Sequence, residues 1–272
     1  PLQCEAYTLR MDISKIKLVY YSPTGTGKKT VEAIRKGMGI DYDVIDLTSP
    51  GSEMKSHSVA KDELAIIAAP VYSGRIPAIA AERIRTVKGD GSPAVLVAMY
   101  GNREFDDALI ELKDITEELG FKAVAGSAFI GRHSFDSKET PIATGRPDGE
   151  DVKKAMDFGA KVLEKVQGLG EIPDLEVPGD RPYRKGGGGD PRSPETDPDS
   201  CILCGMCARV CPTGCVEVSD MVETDKTRCT ACTACVQNCP TGARHWEHEG
   251  ILGAAKWLAT NYGARKEPEV FL

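Results

Sequence analysis

The sequence predicts an α/β protein, a doubly wound five-stranded parallel sheet followed by a small α+β domain held together by cysteines. Short β-branched apolar runs alternate with amphipathic stretches over residues 16–168. A Gly-, Pro- and charge-rich segment then fills residues 168–200, and nine of the ten cysteines fall between Cys201 and Cys239. A chain of 272 residues suits about two domains, and 41% hydrophobic residues is ordinary for globular protein.

The strands are expected at IKLVYY (16–21), YDVIDL (42–47), ELAIIAAP (63–70), SPAVLVAMY (92–100) and KAVAGSAFIG (122–131). Their nearly continuous apolarity is how parallel strands covered on both faces read. Helices are expected over 28–38, 77–87 and 103–120. In the last, Phe105, Ala108, Leu109, Leu112, Ile115 and Leu119 share one face. A further helix is expected over 149–166, and ILGAAKWLATNYGARK (251–266) reads as a C-terminal helix in which nothing suggests catalysis. The domains are therefore placed at 11–168, 201–248 and 249–272, with 169–200 a linker or a wrapping arm. Residues 1–10, with the solitary Cys4, carry no pattern and no expected function.

The formal charge of −7 and the lack of a basic tract argue against nucleic-acid binding. No apolar run nears the roughly 18 residues of a membrane span, and no secretory pattern opens the chain. The expected compartment is the cytoplasm, where crowded cysteines favour metal over disulfides.

The first strand runs into SPTGTGKK, a loop suited to phosphate. A nucleoside-triphosphate loop would need glycine where Ser22 stands and a hydroxyl where Lys29 stands. A dinucleotide fingerprint would need a third glycine at Thr30. What remains is a hydroxyl-rich turn whose Ser22, Thr24 and Thr26 side chains, with backbone N–H groups at the helix start, can ring one phosphate monoester without magnesium.

This run resembles the FMN-phosphate loop of flavodoxins, [ST]-x-T-G-x-T, which implies FMN contacts from Ser22, Thr24, Gly25, Thr26, Gly27 and Lys28. The departure is Gly27, where that family has a hydroxyl; Lys28 or Lys29 would compensate. The same resemblance implies that two later loops clasp the isoalloxazine. One is Pro70, Val71, Tyr72, Ser73, Gly74 and Arg75; the other is Tyr100, Gly101, Asn102 and Arg103. Arg75 and Arg103 there would favour anionic reduced flavin. GRHSF (131–135) ends the fifth strand at the same edge, and His133 reads as a surface residue or a neighbour of either cofactor.

The cysteine segment contains an internal repeat, CILCGMCARVCPTG (201–214) and CTACTACVQNCPTG (229–242). Three thiolates at C-x2-C-x2-C spacing wrap three corners of an iron-sulfur cube, and the fourth, before proline, reaches the neighbouring cube. Cys201, Cys204, Cys207 and Cys239 are thus assigned to one [4Fe-4S] cluster, and Cys229, Cys232, Cys235 and Cys211 to the other. Zinc, the rival, does not explain the third cysteine and the Cys-Pro in both copies. Cys215 reads as a small buried residue. The segment closely resembles bacterial-type two-cluster ferredoxins.

As a whole the chain resembles the flavodoxin-ferredoxin fusion proteins of anaerobic bacteria and archaea. That resemblance implies cytoplasmic electron transfer between two [4Fe-4S] clusters and FMN. The expected partners are ferredoxin-dependent or flavodoxin-dependent oxidoreductases, and a homo-oligomer is left open. The alternative is an FMN-dependent reductase of a small substrate using the clusters as an internal relay. Without a nicotinamide fingerprint, direct NAD(P)H oxidation is disfavoured.

Overall fold

The computed structural model describes residues 11–187 and 190–272; Cys4 and its neighbours lie outside the described part. In chain order the first elements are β1 Lys15–Tyr20, α1 Thr26–Met38, β2 Tyr42–Asp46, β3 His57–Val59, β4 Glu63–Pro70 and α2 Ala78–Ile84. β5 Val87–Gly89, β6 Pro93–Tyr100, α3 Ala108–Glu118, β7 Lys122–Ile130 and α4 Gly149–Gly168 follow. The five expected strands lie side by side as β2-β1-β4-β6-β7, each neighbouring pair parallel. This is the flavodoxin-like doubly wound order, which reverses direction between β1 and β4 and leaves a crevice at their C-terminal ends.

Successive strand residues point to opposite faces, and both faces are covered. Val19, Ile67, Leu96 and Ala128 pack with Ile84, Leu109 and Leu112 of α2 and α3. Leu18, Ile66, Val97 and Phe129 pack on the other side with Val31, Ile34, Phe158 and Val162 of α1 and α4. α1 and α4 approach so closely that a Cβ at Gly37 would sit 1.9 Å from the Met156 carbonyl oxygen, and one at Gly159 2.0 Å from that of Ile34. α3 starts at Ala108 and not at 103, because Asn102 (φ 70) and Asp106 (φ 44) turn the backbone out of the helical region. The short β3 and β5 form a separate parallel ribbon.

The rest of the chain comprises β8 Glu195–Thr196, α5 Met206–Arg209, β9 Val216–Val218, β10 Val222–Thr224, α6 Ala234–Gln237, β11 Arg244–His245, α7 Glu249–Tyr262 and β12 Glu269–Phe271. β9 and β10 form a hairpin, and β8 pairs antiparallel with β11, bringing the two ends of the cysteine segment together. After α7 the chain returns to the first sheet. β12 pairs antiparallel with β7 as a sixth strand, which closes an otherwise bare sheet edge. Three residues are too few to show a strand period, so the sequence pattern carries no sign of it.

Residues 169–187 run along α3. Leu175 is buried in the core, and Asp107 accepts backbone N–H bonds from Asp180 (2.9 Å) and Arg184 (2.6 Å). Arg181 and the Tyr183 hydroxyl both reach Asp114. Among the described residues no helix is long and apolar enough to cross a membrane.

Candidate cofactor sites

A cavity of about 680 Å³ occupies the crevice at the strand ends. Ser22, Thr24, Thr26 and Gly27 line one end of it. Gly25, at φ 79, caps α1 and faces solvent, while the Lys28 side chain is exposed; neither lines the cavity. The Lys28 N–H donates to Ser22 Oγ at 3.1 Å. Among the described residues the N–H groups of Thr24, Thr26 and Gly27 have no hydrogen-bond partner. Free donors at a helix start suit an anion. The glycine at 27 has a packing reason: a Cβ there would lie 3.3 Å from Ser22 Oγ and 3.4 Å from Met99 Cγ.

Pro70, Val71, Tyr72, Ser73 and Arg75 line the cavity from the β4 loop, and Tyr100, Gly101 and Arg103 from the β6 loop. Burial pushes the Tyr100 phenol up to about 12 and the Tyr72 phenol well above its ordinary value, so both stay neutral. Gly74 and Asn102 do not line the cavity. Gly74 (φ 80) forms the turn, where a Cβ would strike Asp106. Asn102 is buried and donates from Nδ2 to the Tyr262 (2.5 Å) and Ala264 (2.8 Å) carbonyls, fastening the end of α7. Of the arginines that line the cavity, Arg75 and Arg103 are each paired with a carboxylate. Arg75 forks onto Glu111 at 2.7 and 2.8 Å and donates to the Arg184 carbonyl, while Arg103 pairs with Asp106.

The remaining lining comes from His133, one of whose readings was a neighbour of a cofactor, and from residues that no motif marked. His133 packs where a Cβ on Gly101 would strike its ring. Its Nδ1 accepts the Phe135 N–H at 2.9 Å, so Nε2 carries the proton, and burial lowers its pKa to about 4. Gly186, Gly187 and Arg192 enter from the arm, and Ala254, Trp257 and Leu258 from α7. Only the tertiary path of 169–200 and the return of the C-terminus bring them here. Tyr21 and Thr230 also line the cavity, and the Tyr21 hydroxyl and Thr230 Oγ1 are buried without hydrogen-bond partners among the described residues. The free N–H donors, orphaned hydroxyls and flanking tyrosines fit a flat ligand bearing one phosphate monoester.

The cysteine repeats share left-handed turns at three equivalent positions as well as their sequence pattern. Leu203 (φ 51), Gly205 (φ 72) and Gly214 (φ 61) correspond to Ala231 (φ 53), Thr233 (φ 63) and Gly242 (φ 73). Cys211, Cys229, Cys232 and Cys235 line one enclosed cavity, which is the crossed set expected for one cluster. Cys215 lines it too, its sulfur 3.5 Å from that of Cys211. Arg244, buried, reaches the Cys235 sulfur at 3.7 Å and brings positive charge to the thiolates. Burial pushes the Cys232 thiol up to about 12, and the Cys215 contact together with burial does the same for Cys211. Iron binding must therefore displace protons here. The other set is more open: Cys204 is exposed, Cys201 and Cys239 half-buried, and Cys207 buried. Among the described residues no three Cys, His, Asp or Glu side chains converge as a single ion would require. Thiolates around a cube instead stand apart across a cavity.

The two modules meet at the enclosed set. Thr230 and Ala231, between Cys229 and Cys232, line the larger cavity beside Tyr21 and Tyr72. Arg83, buried, donates to the Leu47 (3.0 Å), Thr48 (2.7 Å) and Pro212 (2.9 Å) carbonyls, tying the first module to the residue after Cys211. Phe135, which also lines the larger cavity, meets Trp246 edge-on, with ring centroids 6.1 Å apart.

Residues 200–243 match the family described as a 4Fe-4S dicluster domain, and that segment holds all eight repeat cysteines. No curated protein matches the chain. Among solved structures, a flavodoxin from the domain Archaea is similar at 16% identity over 56% of this chain and 98% of its own, with a TM-score of 0.37. The Fusobacterium nucleatum flavodoxin bound to flavin mononucleotide is 16% identical, with coverages of 56% and 98% and a TM-score of 0.39. Rubredoxin oxygen:oxidoreductase from Desulfovibrio gigas is 11% identical, with coverages of 58% and 37% and a TM-score of 0.37. The strand order defines a flavodoxin-like fold, and the repeat with its family match defines a ferredoxin-like segment fused behind it.

Proposed function

We propose that this is an electron-transfer protein passing electrons between two [4Fe-4S] clusters and FMN within one chain, in the cytoplasm of an anaerobe. The observation that carries the reading is that Thr230 and Ala231, inside the second cysteine loop, line the same cavity as the Ser22–Gly27 turn. When bound, FMN accepts two electrons where each cluster passes one. Ser22, Thr24 and Thr26, with the free N–H groups of the α1 start, hold the phosphate, and Tyr72 and Tyr100 border the ring. The buried cysteine set stands on the flavin side, and Arg83 fixes the spacing by gripping Pro212. Trp257 and Leu258 of α7 line the cavity beside these loops. The test is anaerobic flash reduction of the holoprotein. Flavin reduction following cluster reduction at a rate independent of protein concentration supports the reading, whereas a rate proportional to concentration refutes it.

The second reading, an FMN-dependent reductase of a small substrate, is favoured by the neutral His133 in the cavity lining, whose Nε2 carries the proton. Steady-state turnover of a small acceptor would establish it.

A further inference from the structure

The two cysteine loops are equivalent in backbone, yet their intervening residues differ in what they meet. In the second loop Thr230 and Ala231 face the flavin-side cavity. In the first loop the same positions hold Ile202 and Leu203, which are 64% and 43% exposed, beside the exposed Cys204. Leu203 keeps a left-handed φ of 51, an uncommon setting for a bulky side chain. Among the described residues nothing buries these two large apolar groups, although alanine stands at the equivalent of 203 in the second loop.

The module that carries this loop is acidic in sequence. Residues 195–247 carry eight Asp and Glu against four Lys and Arg. Of those four, Arg244 is buried and Lys226 is paired with Glu195. Asp197 and Asp199 directly precede the loop, and Asp199 is exposed.

We propose that the loop of residues 201–204 is the docking surface through which single electrons enter and leave, and that its partner is a redox protein presenting an apolar contact inside a positively charged rim. This rests on the proposed function, because the loop of the other cysteine set lines the flavin-side cavity. An apolar centre within a charged border is how transient redox contacts combine steering with close approach. In the inward direction the partner loses one electron and the cluster held by Cys201, Cys204, Cys207 and Cys239 gains one. In the outward direction the reverse occurs, and neither direction needs a proton or a bond change.

The probe is ferricytochrome c, a basic one-electron acceptor. Holoprotein reduced with dithionite and freed of excess reductant is mixed with it anaerobically, and haem reduction is followed by stopped flow. The second-order rate constant should fall with rising ionic strength. It should drop at least about tenfold in the Ile202→Lys/Leu203→Lys variant, less in Ile202→Ser/Leu203→Ser, and not at all in Met221→Lys, which alters an exposed apolar residue of the same module. Iron content and cluster spectra establish that each variant is loaded. An unchanged rate in both loaded loop variants, or an equal loss in Met221→Lys, overturns the proposal. So does a dimer in solution that the lysine variant dissolves, which would assign the surface to a second copy. Intramolecular flavin reduction is measured on the same samples. If it proves concentration-dependent while the loop variants still slow cytochrome reduction, the one-chain reading fails and the docking surface stands.

Discussion

The loops at residues 201–204 and 229–232 start from the same spacing and the same sequence of backbone turns, and end in opposite surroundings. One leaves Ile202 and Leu203 in solvent; the other is pressed against Tyr21 and Tyr72, with Cys232 buried. The repeat alone makes the two cluster sites look interchangeable. Docking breaks the symmetry, because Arg83 and the cavity rim engage only the face that carries Pro212 and Thr230. A duplicated motif thus yields two cysteine sets in different surroundings, an outer and an inner one.

The largest expected effect tests the crossed assignment on which this comparison stands. Cys211→Ala/Cys215→Ala should abolish the inner cluster and leave the outer one, roughly halving the iron content. The double change is needed because the Cys215 sulfur lies 3.5 Å from that of Cys211. Cys239→Ala should do the converse. Electron paramagnetic resonance spectra showing the opposite losses would reverse the assignment.

Next in size is flavin retention. Thr24→Ala removes one hydroxyl from the phosphate turn, and a hydrogen bond to a charged group is worth about 1.5 to 3 kcal/mol. FMN affinity, read by fluorescence titration of the apoprotein, should fall about 10- to 100-fold with the cluster spectra unchanged. Release of FAD in place of FMN on denaturation would refute the phosphate-turn reading.

Arg83→Met sharpens the inner contact. It removes donors from three carbonyl groups at a buried site, so unfolding should become easier by about 2 to 4 kcal/mol. Cluster-to-flavin transfer should slow while cytochrome c reduction at the outer loop does not. Equal slowing of both would mean that Arg83 supports the whole module and not the junction.

A smaller effect concerns pH. Burial lowers the His133 pKa to about 4, below the ordinary value of 6.5, so the folded state favours neutral imidazole. The stabilisation is complete above pH about 6.5 and is lost as pH falls toward 4, by an amount on the order of 1 to 3 kcal/mol. His133→Gln should flatten that limb of the stability profile, and an unaltered profile would show that His133 is solvated.

The smallest effect concerns charge at the flavin. Because Glu111 neutralises Arg75, Glu111→Gln should raise the flavin potential and Arg75→Met lower it, with the double variant near the parent. Non-cancelling shifts in the double variant would break the neutral-pair reading.

The sequence by itself determined what local rules encode. Strand apolarity on both faces requires helices on both sides, and this was legible from residues 16–131. The cysteine spacing pointed to an iron-sulfur segment, which the family match bears out, and led to the proposed ligand sets, as the hydroxyl-rich turn led to the proposed anion site. Tertiary structure decided what depends on distant partners. Arg75 looked like a free charge until Glu111, 36 residues away, was placed against it, and Asn102 looked like a ring contact until Tyr262 and Ala264 reached it. The strand Glu269–Phe271 and the cavity contacts of Trp257 and Arg192 have no local signature, since their stability comes from surfaces formed by other segments. The placement of the two cysteine sets is of the same kind. Spacing encodes what a loop can bind, whereas burial, which only packing creates, encodes which neighbour it faces.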